Sequence, residues 1–131
     1  MDAATHVIRV PFQRRQALAS RHVPHLECLV AHPNVAVHLN NLGRAHGFLG
    51  DHAKKRDMLE RALAISERAY GRDHAQVAFN LYNLGMAHGA LGDQAKKREL
   101  LERALPIWTR AYGTDNRFTK MCQRDLAETS S

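Results

Sequence analysis

Two matching clusters of cations, Lys54-Lys55-Arg56 and Lys96-Lys97-Arg98, stand 42 residues apart in this 131-residue chain. With nine histidines and two cysteines they are the side chains that could carry chemistry. Six cations on one ridge would attract an anionic partner. Histidines and cysteines at ligand spacing would hold zinc. The spacing decides against the metal. His46 and His88 recur on an apolar stripe, His32 and His74 stand at helix starts, and the rest are scattered. They read as structural histidines. Cys28 and Cys122 match no metal or redox pattern, which suits a reduced thiol in the cytoplasm. The chain has no P-loop, no G-x-S-x-G, no H-E-x-x-H and no glycine-rich nucleotide turn. No catalytic residue, cofactor or metal is therefore expected, and the protein reads as non-enzymatic. Nucleic acid is a weak partner for the cations, because no aromatics interleave them.

What must position these residues is a repeat. Residues 32–73 and 74–115 are consecutive 42-residue units, and 28 of their 42 positions are identical. Shared helical bias cannot produce that much identity, so the units are stacked copies of one supersecondary element. Within each unit the apolar residues keep helical spacing. One stripe runs Val35, Leu39, Leu42, Ala45, His46, Leu49; the next runs Met58, Leu59, Ala62, Leu63, Ile65, Ala69, Tyr70. The pattern predicts a helix A near 33–48 and a helix B near 53–70, then the same near 75–90 and 95–112. Gly50 and Gly71 suit helix ends, and Asp51 suits the cap of helix B. Asp73 is expected to cap the second helix A, with Gln76 completing a capping box. Turns this short force antiparallel packing. Gly43 and Gly47, repeated as Gly85 and Gly89, mark where helices approach closely, since glycine otherwise costs a helix about 1 kcal/mol.

Residues 116–131 hold a last amphipathic helix over Arg117–Glu128, with Phe118, Met121, Cys122 and Leu126 on one side and a polar tail behind it. It reads as a C-terminal cap. Trp108, in the place of Ser66, is expected to fill the gap against it. Pro106 is expected to kink the last helix B. Residues 1–31 form a leader outside the repeat, with helical patches at Gln13–Arg21 and Leu26–Ala31. Their arginine bias resembles a targeting peptide only faintly, since Pro11 and Pro24 interrupt it. No apolar run approaches the ~18 residues of a membrane span.

The strings L-x-x-L-G-x-A-H-G-x-L-G-D at 39–51 and 81–93, and L-E-R-A-L-x-I at 59–65 and 101–107, resemble the tetratricopeptide repeat in its 42-residue, kinesin-light-chain-like form. The resemblance covers roughly residues 32–128. It implies an all-α solenoid of antiparallel helix pairs with a C-terminal capping helix, whose A helices line a groove for a peptide or partner helix. By that resemblance the groove residues are Val37, Asn40, Asn41, Arg44 and Phe48 in the first unit. In the second they are Phe79, Tyr82, Asn83, Met86 and Ala90. Asn41 and Asn83 either grip one extended strand or tie neighbouring A helices together. Relatives that clamp a terminal carboxylate use cations from three A helices; Asp125 at the third place opposes that mode. Lys55 and Lys97 stand where the family usually has alanine, so each must snorkel outward or shift its helix. The alternatives to groove binding are self-association through open solenoid ends, a fragment of a longer array, and polyanion binding by the six-cation ridge. That ridge would be partly paired through Asp57 with Arg61 and Glu99 with Arg103.

Overall fold

The structure is a computed structural model and describes residues 32–130, so the leader's two helical patches and Cys28 lie outside the described residues. Five helices follow one another: α1 (Pro33–Phe48), α2 (His52–Tyr70), α3 (Ala75–Ala90), α4 (Gln94–Tyr112) and α5 (Arg117–Ser130). Consecutive helices pack on one another in chain order, α1 also touches α3, and no strand occurs among the described residues. This is the expected all-α solenoid.

The helix ends show how the sequence sets this order. Gly50 and Gly92 take φ near +90°, which lets the amides of Asp51 and Asp93 reach back to the carbonyls of His46 and His88 at 2.8 and 2.9 Å. Such a closure satisfies a carbonyl the helix would leave bare. Asp51 then caps α2 by accepting from the Lys54 amide at 3.1 Å, and Asp93 does the same for Lys96 at 3.0 Å. The expected capping box at Asp73 and Gln76 does not form. The cap is His74 instead: its backbone is extended, and its Nδ1 accepts the Gln76 amide at 3.0 Å. The Tyr70 ring, stacked 4.5 Å away, holds the imidazole in place. His32 caps α1 through the Asn34 amide in the same way. Pro106 is exposed and α4 runs through it to Tyr112, the repeat equivalent of the end of α2 at Tyr70.

The core is centred on α3. Val77, Ala78, Leu81 and Ala87 are fully buried between Leu59 on α2 and Leu100, Leu101 and Ala104 on α4. The stripe read from the first unit is only half buried. Leu42 is 49% exposed where its equivalent Leu84 is 3% exposed, and Ala45 is exposed where Ala87 is covered. The periodicity was the same in both units; what differs is that no described helix lies before α1.

Glycine sets the spacing within each pair. A Cβ on Gly85 would stand 3.3 Å from the Lys97 carbonyl oxygen, and one on Gly43 3.4 Å from that of Lys55. A Cβ on Gly47 or Gly89 would lie 2.7 Å from Cδ of Lys55 or Lys97. The lysines at an alanine position are thus accommodated by a glycine opposite, and the helices need not move apart. The three atoms nearest a Gly89 Cβ all belong to the Lys97 side chain. Gly89→Ala is therefore expected to stabilise a Lys97→Ala background by about 1 kcal/mol through helix propensity. In the native background the clash cancels or reverses that gain. Urea denaturation of the four-member cycle checks it, with a coupling of ~0.5 kcal/mol or more expected.

Candidate functional site

Among the A helices, α3 meets α1 on one side and α5 on the other. Two hydrogen bonds between predicted groove positions and their neighbours join these helices with the same 43-residue offset. Asn83 Nδ2 donates to Asn40 Oδ1 at 3.1 Å, and the Tyr82 hydroxyl donates to Asp125. Asn83 thus ties α3 to α1, with one of its two amide N–H groups engaged. Asn41, its equivalent on α1, is exposed. Asp125 occupies the third such place; only 8% exposed, it holds the capping helix.

The second unit's aromatics are turned largely inward. Phe79 meets Trp108 edge-on at 5.1 Å and Phe118 at 4.8 Å, while Tyr82 lies 5.5 Å from Trp108. Trp108 is fully buried and 5.5 Å from Phe118 on the cap, filling the expected gap. Burial raises the Tyr82 hydroxyl above its ordinary value, and its bond to Asp125 adds to the effect. Met86 is half-buried and Ala90 exposed.

The first unit is open by contrast. Phe48 is 86% exposed and Val37 41%. Arg44, Gly47, Phe48, Lys55 and Asn83 line a recess of about 210 Å³. Four of the five come from the first unit. Lys55 reaches it because its stem lies across Gly47, with Nζ 3.5 Å from where a Gly47 Cβ would sit. Burial, and then the neighbouring Arg44, make the ammonium hold its proton less firmly than usual.

The six cations of the expected ridge differ in their settings. Lys55 and Lys97 tuck against glycines toward the A helices, while Lys54 is exposed on α2. The others are paired locally: Arg56 with Asp57 at 3.1 Å, Lys96 with Glu99 at 3.5 Å, Arg98 with Glu102 at 2.9 Å. The expected i, i+4 pairs are replaced. Arg103 crosses from α4 to Glu67 on α2 at 2.8 Å and links the two units. Pairs this exposed add ~0–1 kcal/mol each. Sequence reasoning placed Lys55 on the ridge and missed it in the recess. The signal was the glycine eight residues before each second lysine, present in both units.

One further place has less to offer. An open recess of about 590 Å³ on α5 is lined by Arg117, Phe118, Lys120, Met121 and Arg124, on that helix alone. The Arg117 guanidinium there already covers the Phe118 ring at 4.9 Å. Among the described residues no three His, Cys, Asp or Glu side chains gather into a metal-binding group, and no helix is long and apolar enough to cross a membrane.

Two family models, each described as tetratricopeptide repeat, match residues 34–96 and 81–117 and together span 34–117. Among solved structures the fold is similar to the nearly identical TPR-like repeats of a Podosopora anserina protein described as a kinesin light chain. The TM-score is 0.66 at 22% identity, covering 75% of this chain and 46% of that one. A single-substitution variant of the same protein matches with the same values. This chain thus spans under half the length of those structures. No curated protein sequence matches it.

The packing of α5 on α3 and α4 gives a pH signature. Cys122 is buried and donates to the Leu101 carbonyl at 3.4 Å. Burial, and then Asp125, push its thiol from 9.0 up to about 12. Below pH 9 both folded and unfolded chains keep this proton. Between 9 and 12 the unfolded thiol ionises while the folded one does not, so stability falls as pH rises. Cys122→Ala is expected to flatten that part of the stability curve, leaving the later fall due to Tyr82. Denaturant midpoints at half-unit steps from pH 8 to 11.5 provide the check.

Proposed function

The chain belongs to the tetratricopeptide repeat family, and from that premise we propose that it is a non-enzymatic interaction module. Tetratricopeptide repeats mediate protein–protein interaction. Here the face of α1, α3 and α5 takes an extended segment or helix of a partner, centred on the first unit. The observation that carries this reading is Phe48. A phenylalanine 86% exposed at the rim of the Arg44–Lys55 recess is a large apolar anchor on α1. Exposed aromatics next to a recess are the usual hot spots of such surfaces. The backbone beneath is fixed by the Asn40–Asn83 bond, so little ordering opposes binding. Peptide display on the full chain, followed by titration calorimetry, tests it. Phe48→Ala is expected to weaken the best peptide by about tenfold or more. Because the side chain is mostly solvated, the thermal midpoint should stay within about 2 °C. An unchanged affinity would exclude this face.

A second reading has its own observation. Leu42 is half exposed where Leu84 is buried, so the open side of α1 presents apolar surface that a second copy could cover. Sedimentation across a hundredfold dilution separates the two. A monomer at every concentration leaves the groove as the working surface. A reversible dimer that Leu42→Asp dissociates assigns self-association to that side. A cytoplasmic setting is part of the proposal, supported by the buried free thiol of Cys122.

A further inference from the structure

An amine acts as a nucleophile only with its proton off, and an ordinary lysine keeps that proton at neutral pH. Lys55 is placed to shed it. Its stem packs over Gly47, with Cδ 2.7 Å and Nζ 3.5 Å from where a Gly47 Cβ would sit, which holds the amine in the recess of about 210 Å³. Arg44 lines the same recess, and among the described residues no carboxylate lies within 4 Å of the Lys55 ammonium. Partial burial first, and then the like charge of Arg44, loosen the proton. A lysine desolvated in a pocket or set beside another cation is activated toward carbonyl carbon. The chain's other lysines lack this combination. Lys54 is exposed, Lys96 is paired with Glu99 at 3.5 Å, and Lys97 packs on Gly89 with Met86 in the place of Arg44. Lys120 shares an open recess with Arg117 and Arg124 but stands exposed on α5, where the solvent screens like charges.

We propose that Lys55 is a covalent modification site, acylated by small acyl phosphates that enter the Arg44–Lys55 recess. The free amine attacks the acyl carbonyl carbon. A C–N bond forms and the C–O bond to phosphate breaks, its electron pair leaving with the phosphate. The proton shed by the nitrogen passes to water. Nothing is oxidised or reduced, and each chain takes up one acyl group at this place. Arg44 serves the step in a second way, because its guanidinium can neutralise the charge that gathers on the departing oxygen. The recess admits acetyl phosphate whole, whereas the nucleotide arm of a coenzyme thioester has to stay outside. Acylation replaces an ammonium group by a neutral amide and fills the recess with the acyl group. The second unit does not repeat the site, since Met86 and Ala90 replace Arg44 and Phe48 around Lys97. The proposal stands apart from the groove reading, because the reaction needs no partner segment.

The test treats the folded full chain with acetyl phosphate near pH 8 and follows the initial acetylation of each lysine by peptide mass spectrometry. Lys55 is expected to react about threefold or more faster than Lys54, Lys96, Lys97 or Lys120, the gain in free amine being partly offset by its lower nucleophilicity. The preference should vanish in denaturing urea, where the recess is gone. As pH rises, the Lys55 rate should level off below lysine's ordinary 10.5. Arg44→Met copies the second unit and should bring Lys55 down toward the Lys97 rate, while Arg44→Lys, which keeps the charge, should retain most of the preference. Should Arg44→Met fail to fold, the comparison of Lys55 with Lys97 in the unaltered chain decides by itself. Equal rates at those two lysines, a preference that survives urea, or one indifferent to Arg44→Met in a folded chain would overturn the proposal. Acetyl-coenzyme A modifying Lys55 faster than acetyl phosphate at equal concentration would overturn the donor class.

Discussion

The close approach of helix A to helix B at each glycine pair is the constraint from which the rest follows. Gly43 and Gly85 bring one helix within van der Waals reach of the carbonyl of Lys55 or Lys97 on the next. At that distance a side chain from one helix cannot pass between them, so the second lysine of each cluster has to run along the surface of helix A. Gly47 and Gly89 leave the channel it runs in. The packing of the pair and the presence of an ammonium group on the A-helix face are therefore one fact. A solenoid with alanine at those lysine positions would stack as well and would lack that ammonium group.

Successive pairs are joined by different chemistry at the two interfaces. Between the repeats Asn80 Nδ2 donates to Ser66 Oγ at 2.7 Å inside the core and lies 3.4 Å from the Ala62 carbonyl. Against the cap the equivalent positions are Trp108 and Cys122, both fully buried. A polar pair is exchanged for an indole and a thiol. Buried amides demand their partners, and an unmet one costs ~1–3 kcal/mol, so the first interface fixes register more than it adds stability. The second adds apolar area and the aromatic cluster of Phe79, Tyr82, Trp108 and Phe118. This is why Phe79 and Tyr82 are drawn inward.

The fold was legible because repetition multiplies weak signals. One Gly-Asp pair after an apolar stripe is a modest turn indication; two at the same offset are decisive, and α2 and α4 begin where they indicate. The caps at His32 and His74 were not legible, since histidine is a poor cap by residue type and acts here through a ring nitrogen, held at His74 by stacking on Tyr70. The site was legible as a set of positions but not in its state. Asn83 and Asn41 are one residue type in one repeat position. One is bonded to a neighbouring helix and the other exposed, because only α3 has a described helix on that side. Periodicity reports which residues share a face. It does not report what covers that face, and Leu42 shows the difference.

The central claim is that binding takes place on the A-helix face of the first unit. Amide chemical-shift mapping of the isotope-labelled full chain, titrated with a selected peptide, addresses it most directly. The account predicts the largest shifts at Asn41, Arg44, Gly47, Phe48 and Asn83, with Lys54, Arg56 and Arg98 almost unmoved. Shifts concentrated on those outward cations, or on the open side of α1 around Leu42, would contradict it.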